Sequence, residues 1–121
     1  MSDQQHHVHH AIDYVEITVT DLGRAKAFYA AAFGWSFNDY GPDYAGIRWS
    51  DGEGEVGGLG VGTPSGAGGV LVLLYSDDLD ATVAAVDGAG GTAEAPYDFP
   101  GGRRFLFTDP DGNRLGAWTA A

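Results

Sequence analysis

The chain has 121 residues, 44% of them apolar and 12% aromatic, which suits one globular domain with a sizeable core. Six basic and seventeen acidic side chains give a net charge of −11, which excludes nucleic acid and anionic membrane surfaces as partners because both require a basic footprint. No cysteine is present, so disulfides, thiolate metal sites and cysteine nucleophiles are excluded too.

Residues 1–11 read as a disordered polar tail, whose His6, His7, His9 and His10 could capture a metal ion adventitiously. The tail lacks the apolar segment of a signal peptide, and no run approaches the ~18 apolar residues of a membrane span. The expected location is the cytoplasm. Ile12 to Thr20 alternates β-branched residues as a strand does, placing Tyr14, Glu16 and Thr18 on one face and Val15, Ile17 and Val19 on the other. Asp21 then stands as a helix N-cap. Leu22, Ala25, Phe28, Tyr29, Ala32 and Phe33 recur at three- and four-residue steps, one helical face, and Gly34 sits where a left-handed residue ends a helix. A second strand begins at Trp35 to Phe37, a third spans Tyr44 to Ser50, and a glycine-rich fourth spans Glu55 to Gly62. The linker 63–69 has no periodicity.

After the linker the pattern restarts. Val70 to Tyr75 reads as a strand, and Asp77-Asp78 opens a helix with apolar Leu79, Val83 and Val86 that Gly90-Gly91 closes. Thr92 to Ala95 forms a short strand, residues 96–102 a loop, and Arg103 to Thr108 and Asn113 to Thr119 two further strands joined by a turn at Asp109 to Gly112. The restart is a repeat. Asp21-Leu22 and Gly34 match Asp78-Leu79 and Gly91 at an offset of 57, while Asp51 and Gly54 match Asp109 and Gly112 at 58. An internal duplication follows, module one at 12–62 and module two at 70–119 of a single domain spanning 12–121.

The stretches DLGRAKAFYAAAFGW and TDPDGNRLGAW resemble the vicinal oxygen chelate superfamily, which includes glyoxalases, extradiol dioxygenases, epimerases and bleomycin- and fosfomycin-resistance proteins. The resemblance covers about residues 12 to 119. It implies an α+β fold, two tandem βαβββ modules forming curled mixed sheets around a shared cavity, often in a homodimer. It further implies that metal-dependent members place one ligand on the first and one on the fourth strand of each module, usually His or Glu. Those positions carry Tyr14, Gly58, Leu71 and Gly116 here. Leucine and glycine offer no side-chain donor and a protonated tyrosine is a poor one, so no metal and no other cofactor is expected.

If those positions face inward, Tyr14, Glu16, Thr18, Leu71, Leu73, Tyr75, Arg114 and Trp118 line the cavity by alternation, a surface suited to an organic ligand with an apolar body and a few polar handles. Glu16 is the sharpest candidate: desolvated it could act as general base, beside a cation it would bind. The alternatives for it are an ion pair with Arg48, Arg103, Arg104 or Arg114, or plain solvent exposure. Trp35, Trp49, Phe99, Phe105 and Phe107 read as core or dimer contacts. The leading expectation is metal-independent binding of a small organic molecule, cationic in view of the acidic charge. The rival expectations are a glyoxalase-like lyase, isomerase or dioxygenase with an atypical metal site or Glu16 as base, and a structural module whose cavity its own side chains fill.

Overall fold

The computed structural model describes residues 9, 14–50, 52, 54–63, 71–99 and 101–120. The rest of the predicted tail, the ends of the strands expected at Ile12 and Val70, and the linker beyond Thr63 lie outside the described residues. The chain runs β1 Val15–Val19, α1 Leu22–Phe33, β2 Phe37–Asp39, β3 Tyr44–Arg48 and β4 Glu55–Val61, then β5 Leu73–Tyr75, α2 Leu79–Gly88, β6 Thr92–Ala93, β7 Tyr97–Phe99, β8 Gly102–Thr108 and β9 Arg114–Ala120.

Both helices start on a side-chain cap. Asp21 accepts from the Arg24 amide at 3.0 Å and Asp78 from the Ala81 amide at 3.1 Å, each satisfying a first-turn N–H that has no helical acceptor. Gly34, at φ 73°, ends α1 by donating its N–H to Ala30 O. In α2 the last helical residue is Gly88, and Gly91 N–H closes the turn on Val86 O.

The strands form two sheets of one design. In the first, β1-β4-β3-β2, β1 lies parallel to β4 and the other pairs are antiparallel. In the second, β5-β9-β8-β6, β5 lies parallel to β9. One correction concerns residues 96–102, read from sequence as a loop. Tyr97–Phe99 forms strand β7, antiparallel to β8 with Tyr97 opposite Arg104 and Phe99 opposite Gly102. A three-residue edge strand beside Gly101 at φ 114° leaves too short a pattern to outweigh the flanking proline and glycine signals.

The two helices and one apolar core fill the space between the sheets. Ile17, Val19, Ala45, Ile47 and Leu59 come from the first sheet, Leu22, Ala25, Phe28, Tyr29, Leu79 and Val86 from the helices, and Phe105, Phe107, Leu115 and Ala117 from the second. Phe28 and Phe33 of α1 pack on the Phe107 ring at 6.4 and 5.5 Å, so the first helix reaches across to the second sheet. A polar hub fastens the same junction. Buried Asp109 accepts from Tyr29 Oη at 2.8 Å and from the Asn113 amide at 2.9 Å, while Asn113 Nδ2 donates to Thr18 O at 2.6 Å. Burial and neighbouring Asp109 push the Tyr29 hydroxyl far above the ordinary phenol value, keeping it a donor. No helix among the described residues is long and apolar enough to cross a membrane.

Candidate functional site

Alternation divides each sheet into a core face and an open face. On β1, Ile17 and Val19 are buried in the core while Tyr14 and Glu16, on the opposite face, are exposed and Thr18 is half-buried. On the second sheet Leu71, Leu73 and Tyr75 are exposed and Arg114 and Trp118 half-buried. The sequence-predicted set therefore falls in two groups on the open, outer faces of two sheets, with the core between them.

The first group is larger than the sequence indicated. Tyr14 Oη lies 2.6 Å from Tyr44 Oη and 3.5 Å from Glu55 Oε1, and the Glu16 carboxylate is near enough to raise the Tyr44 hydroxyl. Burial, followed by neighbouring Tyr14 and Glu16, pushes the Tyr44 hydroxyl far above the ordinary phenol value. Tyr44 is thus held protonated, with a hydroxyl hydrogen to donate. A second carboxylate, Glu55, takes hydrogen bonds from Asn38 Nδ2 at 3.0 Å and from the Tyr40 hydroxyl. That bond raises the Tyr40 hydroxyl as well, and Tyr40 remains a donor. The Tyr40 and Tyr44 rings stand 6.3 Å apart.

Glycines make room for this cluster. A Cβ on Gly58 would collide with the Tyr44 hydroxyl and come within 2.8 Å of the Tyr14 hydroxyl, and a Cβ on Gly46 would collide with the Glu55 carboxylate. Gly46 and Gly58 are cross-strand partners, so the bare stretch of sheet is covered by side chains from neighbouring positions. Tyr40, Tyr44, Asn38 and Glu55 were missed from sequence, although the paired glycines were a usable signal: a strand position without a side chain leaves space that something else occupies.

The second group is built differently. Gly116 pairs with Leu73, and a Cβ on it would approach Leu73 and Leu106 methyls at 2.7 and 2.9 Å. Trp118 meets Tyr75 edge-on at 5.1 Å and Phe99 at 6.1 Å. Arg104 lies over the Tyr97 and Phe99 rings at 5.4 and 5.2 Å and donates from Nε to Tyr97 Oη at 2.6 Å. Arg114 is held by both oxygens of Glu94 at 2.7–2.9 Å. None of the four arginines considered as ion-pair partners for Glu16 is one: Arg103 pairs with Asp98, Arg114 with Glu94, Arg104 rests on rings, and Arg48 pairs with no carboxylate among the described residues.

The divalent ion used by metal-dependent vicinal oxygen chelate proteins does not fit the residues at the four positions. Tyr44 occupies the space a Gly58 side chain would need, leucine methyls occupy that of Gly116, and Leu71 has no donor atom. No group of three or more His, Cys, Asp or Glu side chains that could hold an ion occurs among the described residues.

Sequence and structure comparisons fix the family. The profile of the Glyoxalase/Bleomycin resistance protein/Dioxygenase superfamily matches residues 11–116. The chain belongs to this superfamily. "Putative glyoxylase CFP32" of Mycobacterium bovis and Mycobacterium tuberculosis is 32% identical, over 89% of this chain and 45% of its own length. "Anthracycline biosynthesis protein DauV" of Streptomyces sp. (strain C5) is 34% identical, over 84% of the chain and 38% of its own length. The chain thus spans about half the length, or less, of the curated relatives it matches. Among solved structures, TnmS3, an antibiotic binding protein from Streptomyces sp. CB03234, superposes with a TM-score of 0.71 at 25% identity, covering 96% of this chain and 100% of that one.

Proposed function

We propose that this superfamily member binds a small organic molecule carrying a cationic group, without a metal ion, against the Tyr14–Glu16–Tyr44–Glu55 cluster. The observation that carries the reading is two carboxylates, Glu16 and Glu55, among three tyrosines over Gly46 and Gly58, with Glu55 accepting from Tyr40 and Tyr14. Carboxylates beside aromatic faces attract ammonium and guanidinium groups through charge and ring quadrupole together. The net charge of −11 steers such ligands toward the protein. The names of TnmS3 and DauV, one an antibiotic binder and the other a protein of anthracycline biosynthesis, support an antibiotic-like ligand.

The second sheet supplies the apolar half of the site. Leu73, Tyr75 and Trp118 form a platform for a ligand body, with Leu71 at its approach and Arg114 fixed beside it by Glu94, while Thr18 stays on the first face. Because the two open faces lie on outer sides of the sheets, a homodimer that sets the first face of one copy against the second face of the other would enclose the ligand.

Calorimetric titration with a cationic glycopeptide antibiotic, bleomycin, and with an anionic glutathione conjugate tests the reading. Tighter binding of the cation is expected, weakened about fivefold or more in Glu16→Gln and Glu55→Gln, the scale of one hydrogen-bonded charge contact. Preference for the anion, or no binding of either, counts against it. The relation to a glyoxylase keeps a second reading in play, a lyase, isomerase or dioxygenase with Glu16 as general base. Turnover of a glutathione hemithioacetal that vanishes in Glu16→Gln would favour it; undiminished turnover in that variant would remove Glu16 from the chemistry.

A further inference from the structure

The first sheet borders a concavity on its core side. A hollow of about 580 Å³ lies between Val15, Ile17 and Ile47 of the first sheet, the Phe33–Trp35 end of α1, and Val72 and Leu74 beside the second. Its size falls within the range of small-molecule sites. Glu16 and Tyr44 face the other way, so this hollow is separate from the cluster described above.

Among the described residues, its one charged lining residue is Arg48. The ladder between β3 and β4 slips at Ile47/Arg48, where Ile47 faces Gly57 and Arg48 faces Glu55, leaving Val56 of β4 as the extra residue. Ile47 and Arg48, adjacent in sequence, both line the hollow, as does Val56. The Arg48 Nε is buried and has no hydrogen-bond partner, whereas buried guanidinium donors are ordinarily satisfied. The chain's other cations are all engaged: Arg24 by Asp111, Lys26 by Asp39, Arg103 by Asp98, Arg114 by Glu94, and Arg104 by two rings. Among the described residues Arg48 alone has neither a carboxylate nor a ring. An apolar chamber with one unsatisfied cationic donor is complementary to an apolar body ending in an anion.

We propose that this hollow is a second binding site, for an apolar monocarboxylate, with Arg48 taking the carboxylate and the aliphatic and tryptophan walls taking the hydrocarbon. The preference runs against the protein's overall charge, which would draw a cationic amphiphile to the surface, and this makes it testable. Trp35 and Trp49 both line the hollow and report occupancy through their fluorescence.

The probes are decanoate, decan-1-ol and decyltrimethylammonium, titrated by tryptophan fluorescence and by calorimetry. Decanoate is expected to bind about tenfold tighter than the cation, and Arg48→Met to remove that margin while leaving decan-1-ol unchanged, as loss of one charge-assisted hydrogen bond predicts. Val72→Trp, at a half-buried position, fills the chamber and should abolish binding of all three with the circular dichroism spectrum retained. The proposal is overturned if the cation binds as tightly as decanoate, or if Arg48→Met leaves the ratio unchanged. It is equally overturned if decanoate does not bind, as when a second copy or the chain's own residues fill the chamber. Bleomycin binding at the opposite face is indifferent to either variant, so the two proposals fail separately.

Discussion

Asp111 shows how much a single side chain can tie together. Its carboxylate accepts from the Thr20 amide at 2.7 Å, from the Thr20 hydroxyl and from Arg24 at 2.6 Å, joining the last turn of module two to the start of α1. Burial alone would raise the carboxyl, but the Thr20 hydrogen bonds and the Arg24 charge outweigh it and hold Asp111 below the usual carboxylate range. A carboxyl depressed in the folded state contributes stability that is complete above its unfolded value, about 3.9, and lost as pH falls through its folded value. Asp111→Asn should therefore cost about 1–2 kcal/mol at pH 7, moderated by the exposure of Arg24. The gap from the parent protein should close below about pH 4, the ordinary aspartate range. Thermal melts from pH 7 to 2.5 check this; a gap that widened toward acid would contradict it. The sequence reading of TDPDGN as a tight turn matches the structure, yet nothing in that hexapeptide announces that its second aspartate reaches residue 20.

At the scale of the element, strand β4 carries adjacent glycines with different duties. A Cβ on Gly57 would run into the Val15 carbonyl oxygen, a backbone atom of the neighbouring strand, whereas at Gly58 it would meet the ends of two tyrosine side chains. Backbone in a paired ladder cannot retreat without breaking hydrogen bonds, but a phenol can swing away. Gly57→Ala is expected to cost about 2–3 kcal/mol, and Gly58→Ala under about 1 kcal/mol while weakening ligand binding at the tyrosine–glutamate face several-fold. Urea unfolding alongside a bleomycin titration separates the two; equal stability losses would mean the strand adjusts as a unit. The helices were the most legible elements, because Asp21, Asp78 and Gly34 act locally and cap what the apolar periodicity announces. Strand β7 was the least legible, since its pairing with β8 depends on a partner that three residues cannot specify.

For the whole molecule, the two open faces carry opposite characters. The first presents Glu16 and Glu55 among tyrosines, the second Arg104 among Tyr75, Tyr97, Phe99 and Trp118. Large apolar side chains remain exposed on both, Tyr14 and Tyr40 on one and Leu71, Leu73, Tyr75 and Tyr97 on the other. A two-fold dimer would bury each face against its complement twice over. Sedimentation equilibrium at roughly 10 μM, a concentration at which a micromolar interface is occupied, should give the dimer mass. Arg104→Glu, which sets like charge against the acidic face, should weaken association about tenfold or more. A parent protein that is monomeric at this concentration would remove the enclosed site from the proposal.

What the sequence determined by itself was the duplicated βαβββ plan, because caps, periodicities and turn glycines are local signals and repeat at offsets of 57 and 58. Residue identity alone also gives Gly58, Leu71 and Gly116, three of the four positions expected to ligate an ion, no side-chain donor, with Tyr14 at the fourth. Tertiary structure decided the rest. The cluster around Glu16 gathers Tyr44 from β3 and Glu55 from β4 with Tyr40 after β2, residues brought together only by strand register and by the room two glycines leave. That Arg48 lines the core-side hollow together with Val72 and Leu74 of the second module is likewise a long-range property with no local trace in the chain.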